Sequence, residues 1–121
     1  MPPEVQERTR RRILAYAEKH YKGKYNRIEV RFRGALCYVD AYVEPVDDRP
    51  PPGESRQAYL ERLRNTPLHM FRIRYNGDPE LWAFAFYAYS SEKYERSVLC
   101  SGSFVGTPEE AMQTGGVYLQ G

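Results

Sequence analysis

Residues 68–89, LHMFRIRYNGDPELWAFAFYAY, constrain the fold more than any other part of the chain. They hold the single Trp, three of the five Phe and three of the eleven Tyr. The first arm alternates, so Phe71, Ile73 and Tyr75 are expected on one side of a strand, and Met70, Arg72 and Arg74 on the other. In the second arm Trp82, Phe84 and Phe86 share a side, opposite Ala83, Ala85 and Tyr87. Asn76-Gly77-Asp78-Pro79 between the arms reads as a tight turn, because Asn-Gly supplies positive φ angles and Pro79 cannot donate to a ladder. A lone hairpin is marginal in water. The rest of the chain must therefore supply cover for this aromatic side.

A second hairpin precedes it. In residues 27–33, Ile28, Val30 and Phe32 alternate with Glu29, Arg31 and Arg33. After a turn at Gly34-Ala35, residues 36–44 place Cys37, Val39, Ala41 and Val43 opposite Tyr38, Asp40, Tyr42 and Glu44. Helices are expected at three places. Residues 3–21 carry Val5, Thr9, Ile13, Tyr16 or Ala17, and His20 or Tyr21 at helical spacing, with Pro3 in the first turn and Gly23 as the cap. Residues 55–64 form a short helix capped by Ser55. Thr107-Pro108-Glu109-Glu110 starts a last helix through a capping box, and the spacing of Ala111, Met112, Gly115, Tyr118 and Leu119 predicts one helix to the end. Residues 45–54, PVDDRPPPGE, make a stiff proline-rich surface loop. Residues 90–97 read as a loop, and 98–105 as a short fifth strand.

These elements predict one α+β domain over residues 1–121: an antiparallel sheet of four or five strands with the N- and C-terminal helices packed on one face. The chain is long enough for one core. No apolar run approaches the roughly 18 residues of a membrane span, so no membrane partner is expected. The first residues lack the apolar segment of a signal peptide, and the expected location is the cytoplasm. Cys37 and Cys100 stand alone, which predicts small buried hydrophobes in a reducing compartment.

The formal charge is only +2, but it is unevenly placed: +6 over residues 1–33, zero over 34–75 and −4 over 76–121. A basic front and an acidic back can steer an anionic partner or let copies associate head to tail. Fourteen of the eighteen basic residues are Arg, which suits planar, bidentate anion contacts.

With the helices on the aromatic side, the opposite sheet face gathers Arg31, Arg33, Tyr38, Asp40, Tyr42, Arg72, Arg74 and Tyr87. Tyr and Arg offer large contact area with a polar tip, and interfaces enrich both. That face is the candidate ligand or partner surface. Arg8, Arg10, Arg11 and Arg12 on the first helix are candidate anion contacts. No His/Cys/Asp/Glu spacing matches a metal site, and no cofactor motif is present. Ser101-Gly102-Ser103 is not a nucleophile elbow. Acid/base chemistry would fall to Asp40 or His69. His69, on the core-facing register with Phe71, is expected to be an edge residue or a satisfied buried imidazole.

Four segments carry a family resemblance: RIRYNGD from Arg72, WAFAFYAYS from Trp82, EKYE from Glu92 and GTPEEA from Gly106. With Tyr38-Val39-Asp40-Ala41-Tyr42, they resemble a group of small uncharacterised bacterial proteins. The resemblance implies one self-contained bacterial cytoplasmic domain and carries no activity. The functional expectation, in order, is a non-enzymatic binding or assembly module using the Tyr/Arg face, including self-association; a single-stranded nucleic-acid-binding protein; and a small enzyme with Asp40 or His69 as acid/base.

Overall fold

A computed structural model describes residues 1–46 and 49–119. Asp47 and Asp48 of the proline-rich loop, and Gln120 and Gly121 of the expected last helix, lie outside the described residues. The elements run α1 (Pro3–His20), β1 (Arg27–Arg33), β2 (Leu36–Tyr42), α2 (Arg56–Arg64), β3 (Leu68–Arg74), β4 (Trp82–Ala88), β5 (Lys93–Arg96), β6 (Val105–Gly106) and α3 (Pro108–Gly115), then a 3-10 turn (Gly116–Leu119). The fold is α+β. β1 to β5 form an antiparallel sheet in sequence order, and β6 pairs the start of β4 beside β5.

α1 and α3 pack on each other and on one sheet face. α1 offers Val5, Thr9, Ile13 and Ala17, a stripe at four-residue steps, and ends when Tyr21 donates its N–H to Ala17. Trp82, Phe71, Phe84, Met70, Ile73 and Met112 fill the space between, nearly without exposure. α3 begins as its sequence dictates. Thr107 accepts from the Glu110 N–H, and the Glu110 carboxylate accepts from the Thr107 N–H. α2 is capped by the Ser55 hydroxyl and has no buried residue. Arg64 ties its end to Glu44 at 2.6 Å. Among the described residues, no helix is long and apolar enough to cross a membrane.

Five sequence expectations need correction. The β3–β4 connection is longer than the tight turn expected at Asn76-Gly77-Asp78-Pro79. Pairing stops at Arg74–Ala83, and only Gly77, with φ +97, enters the left-handed region. Asp78 organises this longer loop, its carboxylate accepting from the Glu80 N–H and its carbonyl from the Leu81 N–H. Residues 90–97 contain a strand, β5, whereas most of 98–105 is a loop pinned by buried Leu99. The last helix is two pieces, changing to 3-10 geometry at Gly116. The close packing there is real: a β-carbon on Gly115 would lie 2.3 Å from the Phe71 ring, and one on Gly116 2.1 Å from the Tyr21 hydroxyl. Cys37 is buried, but Cys100 is exposed, and both are free thiols.

The fifth correction moves a functional residue. β2 pairs Val39 with Phe71 but Asp40 with His69, so Met70 is an extra residue on β3. This β-bulge shifts the side-chain alternation by one. Met70 turns into the core with Phe71, and His69 leaves the core side for the face that carries Asp40.

Candidate functional site

The uncovered face is built from cross-strand rows. One runs Arg31, Tyr38, Arg72, Ala85 and Arg96 across β1 to β5, each directly opposite the next. The next runs Arg33, Leu36, Arg74 and Ala83 to Val105 of β6. On the other flank Asp40 faces His69, and Tyr87 faces Tyr94. Arg31, Arg33, Tyr38, Asp40, Arg72, Arg74 and Tyr87, singled out from the sequence, therefore stand together.

Two neighbouring hollows result. A cleft of about 490 Å³ is lined by Arg31, Arg33, Tyr38, His69, Tyr87 and Tyr94. Its aromatic wall is continuous: Tyr38–Tyr94, Tyr87–Tyr94 and His69–Tyr87 ring centres lie 5.4, 5.0 and 4.8 Å apart. A smaller hollow of about 280 Å³ lies over Ala83 and Ala85, ringed by Arg72, Arg74 and Arg96. The two alanines leave the floor low, so the guanidinium groups stand around it. Arg72 lies over the Tyr94 ring and Arg96 over Phe104, 5.3 and 5.0 Å from the ring centres.

Asp40 sits under the first cleft, 1% exposed. Its Oδ2 accepts from Arg31 Nη2 at 2.9 Å, and its Oδ1 bonds His69 Nδ1 at 2.9 Å. His69 is further fixed by Tyr89, whose hydroxyl oxygen accepts from the His69 N–H at 2.7 Å. Burial, followed by the Asp40 charge, pushes the Tyr94 phenol up to about 12. Tyr94 is therefore a neutral hydrogen-bond donor at neutral pH.

Most of the arginines on this face lack a carboxylate partner among the described residues. Arg12, Arg27, Arg31, Arg62 and Arg64 each have a carboxylate within 4 Å. Among the described residues, Arg33, Arg72, Arg74 and Arg96 have none.

The remaining candidates lie elsewhere. Tyr42 stacks under Arg27, 4.1 Å from ring centre to guanidinium, in a separate depression beside Arg64. Arg8, Arg10, Arg11 and Arg12 ride on α1, which packs on the opposite side of the sheet. Arg12 is held by both Glu80 and Glu109 at 2.6–2.8 Å. Arg10 donates to the Val30 carbonyl, and Arg11 pairs with Glu7.

Sequence reasoning missed two residues of the face and put a third on the wrong side. Tyr94 and Arg96 went unseen because Glu92-Lys93-Tyr94-Glu95-Arg96 is polar on both sides, as edge strands often are; the Tyr94/Arg96 spacing of two was the available signal. His69, already a candidate acid/base, was assigned to the core side because of the bulge, whose one trace is the adjacent apolar pair Met70-Phe71 in an otherwise alternating strand. No protein-family model, curated protein or solved structure matches the chain.

Proposed function

We propose that the chain is a binding module for single-stranded nucleic acid and that its uncovered sheet face is the binding surface. The observation that carries this is a group of four arginines without a carboxylate partner, Arg33 in the aromatic cleft and Arg72, Arg74 and Arg96 around the hollow beside it. Gathering like charges on one face is unfavourable in the free protein, and an anionic ligand offsets that repulsion. Strands lie roughly 4.8 Å apart and alternate residues roughly 6.7 Å apart along a strand, so the arginines form a grid of roughly 7 by 10 Å. Such a grid suits an extended polyanion better than one small anion. The tyrosines beside it offer ring surface to bases, and stacking of this kind is worth about 1–3 kcal/mol per base.

The same charges disfavour self-association through this face. Two copies related by a two-fold axis would set unpaired arginines against each other. An acidic protein partner meets the charge requirement but makes less use of the rings.

The test is a fluorescence-anisotropy titration with short single-stranded RNA and DNA, a duplex of the same sequence and an acidic peptide, each at several salt concentrations. The expected result is binding of single strands above duplex and peptide, weakening steadily with salt. Absence of salt-sensitive binding to any single strand removes the proposal. Preference for the acidic peptide replaces it with a protein partner.

A further inference from the structure

We infer that the aromatic cleft is also a site of RNA cleavage, in which His69 accepts the proton of a ribose 2′-hydroxyl as that oxygen attacks the adjacent phosphorus. This inference rests on the reading of the face as a single-strand-binding surface.

It begins from the carboxylate. Burying an ion costs several kcal/mol unless it is fully paired, yet Asp40 is 1% exposed on a sheet face that is otherwise open. A small apolar residue would serve the sheet at that position without the penalty. What the carboxylate does is hold two cleft residues at once, Arg31 and His69, at 2.9 Å each. An ionised carboxylate only accepts, so the imidazole carries its proton on Nδ1, and in the neutral ring the Nε2 lone pair is left over. Among the described residues Nε2 has no hydrogen-bond partner. Tyr89 fixes the His69 backbone, and Tyr87 packs against its ring. The result is an oriented, partly exposed base in a cleft to which Arg33 brings an uncompensated positive charge.

The chemistry follows from what the cleft contains. No Ser, Thr or Cys lines it, so the nucleophile belongs to the ligand or to water. RNA carries its own nucleophile beside each phosphate, and attack within one molecule is strongly favoured over attack between molecules. The O2′–H proton passes to His69 Nε2, the O2′–P bond forms and the P–O5′ bond breaks. The departing O5′ takes a proton from water, and the imidazolium returns its proton to the solvent. The products are a 2′,3′-cyclic phosphate and a free 5′-hydroxyl. No oxidant, reductant or further reactant is needed. Arg31 and Arg33 would face the negative charge that grows on the phosphorane oxygens.

The experiment uses the full chain with a 5′-labelled RNA 12-mer and an all-deoxy strand of the same sequence. Binding is read on the deoxy strand, which lacks the nucleophile. Cleavage is read on the RNA in single turnover at saturating protein, where differences in affinity drop out. The expected result is cleavage of RNA to cyclic-phosphate ends, an intact deoxy strand, and a loss of at least about 100-fold in rate for His69→Gln. Binding of both strands by the wild-type protein with no cleavage overturns the inference and leaves the binding proposal standing. Cleavage equal in wild type and His69→Gln also overturns it. If neither strand binds, both proposals fall together.

Discussion

Gly115 shows how little freedom single positions in this core have. A β-carbon there would meet Phe71 Cδ1 at 2.3 Å, and Phe71 is fully buried in the middle of β3. The ring cannot withdraw without pushing on Phe84, 5.6 Å away between ring centres. Gly115→Ala should raise helix propensity locally, by about 1 kcal/mol, and still lose overall, because overpacking a tight core costs about 1–3 kcal/mol. Urea unfolding of Gly115→Ala against the wild type measures the balance. A midpoint at or above the wild type would show that the α3–β3 contact can yield. Val117→Ala, two residues on and exposed, should stay within about 0.5 kcal/mol. The same scale explains what the sequence left hidden at the site. One inserted residue, Met70, decides whether His69 is a core residue or a cleft residue. Alternation alone assigns His69 to the wrong side because a bulge breaks the period of two that the assignment assumes.

At the scale of elements, legibility tracked how strongly each segment patterns its own backbone. β1 to β4 alternate clearly, α1 and α3 carry apolar stripes with Pro in their first turns, and α3 adds a capping box, so all six could be read from residues alone. β5 is held by its ladder with β4 and by the Tyr87–Tyr94 pairing, which no local pattern announces. The change to 3-10 geometry after Gly115 falls where Gly115 and Gly116 lie close against Phe71 and Tyr21, residues distant in sequence. Arg12 is the polar counterpart of these long-range contacts. It joins α1 to the β3–β4 loop through Glu80 and to α3 through Glu109. Hydrogen bonds from Arg12 hold both carboxylates below the usual glutamate range. Their contribution is therefore complete above the unfolded glutamate value of about 4.3 and is lost as pH falls through the lower folded values. Both groups are partly exposed, so solvent screening keeps the effect small, on the order of 1 kcal/mol. Arg12→Gln should be less stable than wild type by that amount at pH 7. The gap should close as pH falls from 5 to 3. Urea unfolding at each pH checks it; a gap that stays constant to pH 3 would mean that Arg12 acts through packing and not charge.

At the scale of the whole molecule, the helices take one face of the sheet and leave the other open, and the charges follow the same division. The chain is basic at its front and acidic at its back, which by itself suggests two oppositely charged ends. Folding cancels part of that: Arg12 of the basic front closes on Glu80 and Glu109 of the acidic back. The unpaired arginines that remain on the open face come from β1, β3 and β5. The two cysteines make the same division measurable. Cys37 lies on β2 within the core, and burial pushes its thiol up to about 12, whereas Cys100 is exposed. A maleimide reagent should label Cys100 in the native protein and Cys37 only at the rate of global unfolding; labelling of both in the native state would mean that the sheet opens beneath the cleft. The open face can be read through its counterions. A single-stranded ligand releases about 0.7 counterions per neutralised phosphate, so the slope of log affinity against log salt counts the arginines in contact. Arg74→Gln and Arg96→Gln should each weaken binding and each flatten that slope by about 0.7. Arg11→Gln, also exposed but on α1 across the sheet, removes the same unit of charge and should leave the slope unchanged. Equal effects from all three would assign the binding to net charge alone and deny the sheet face any special role.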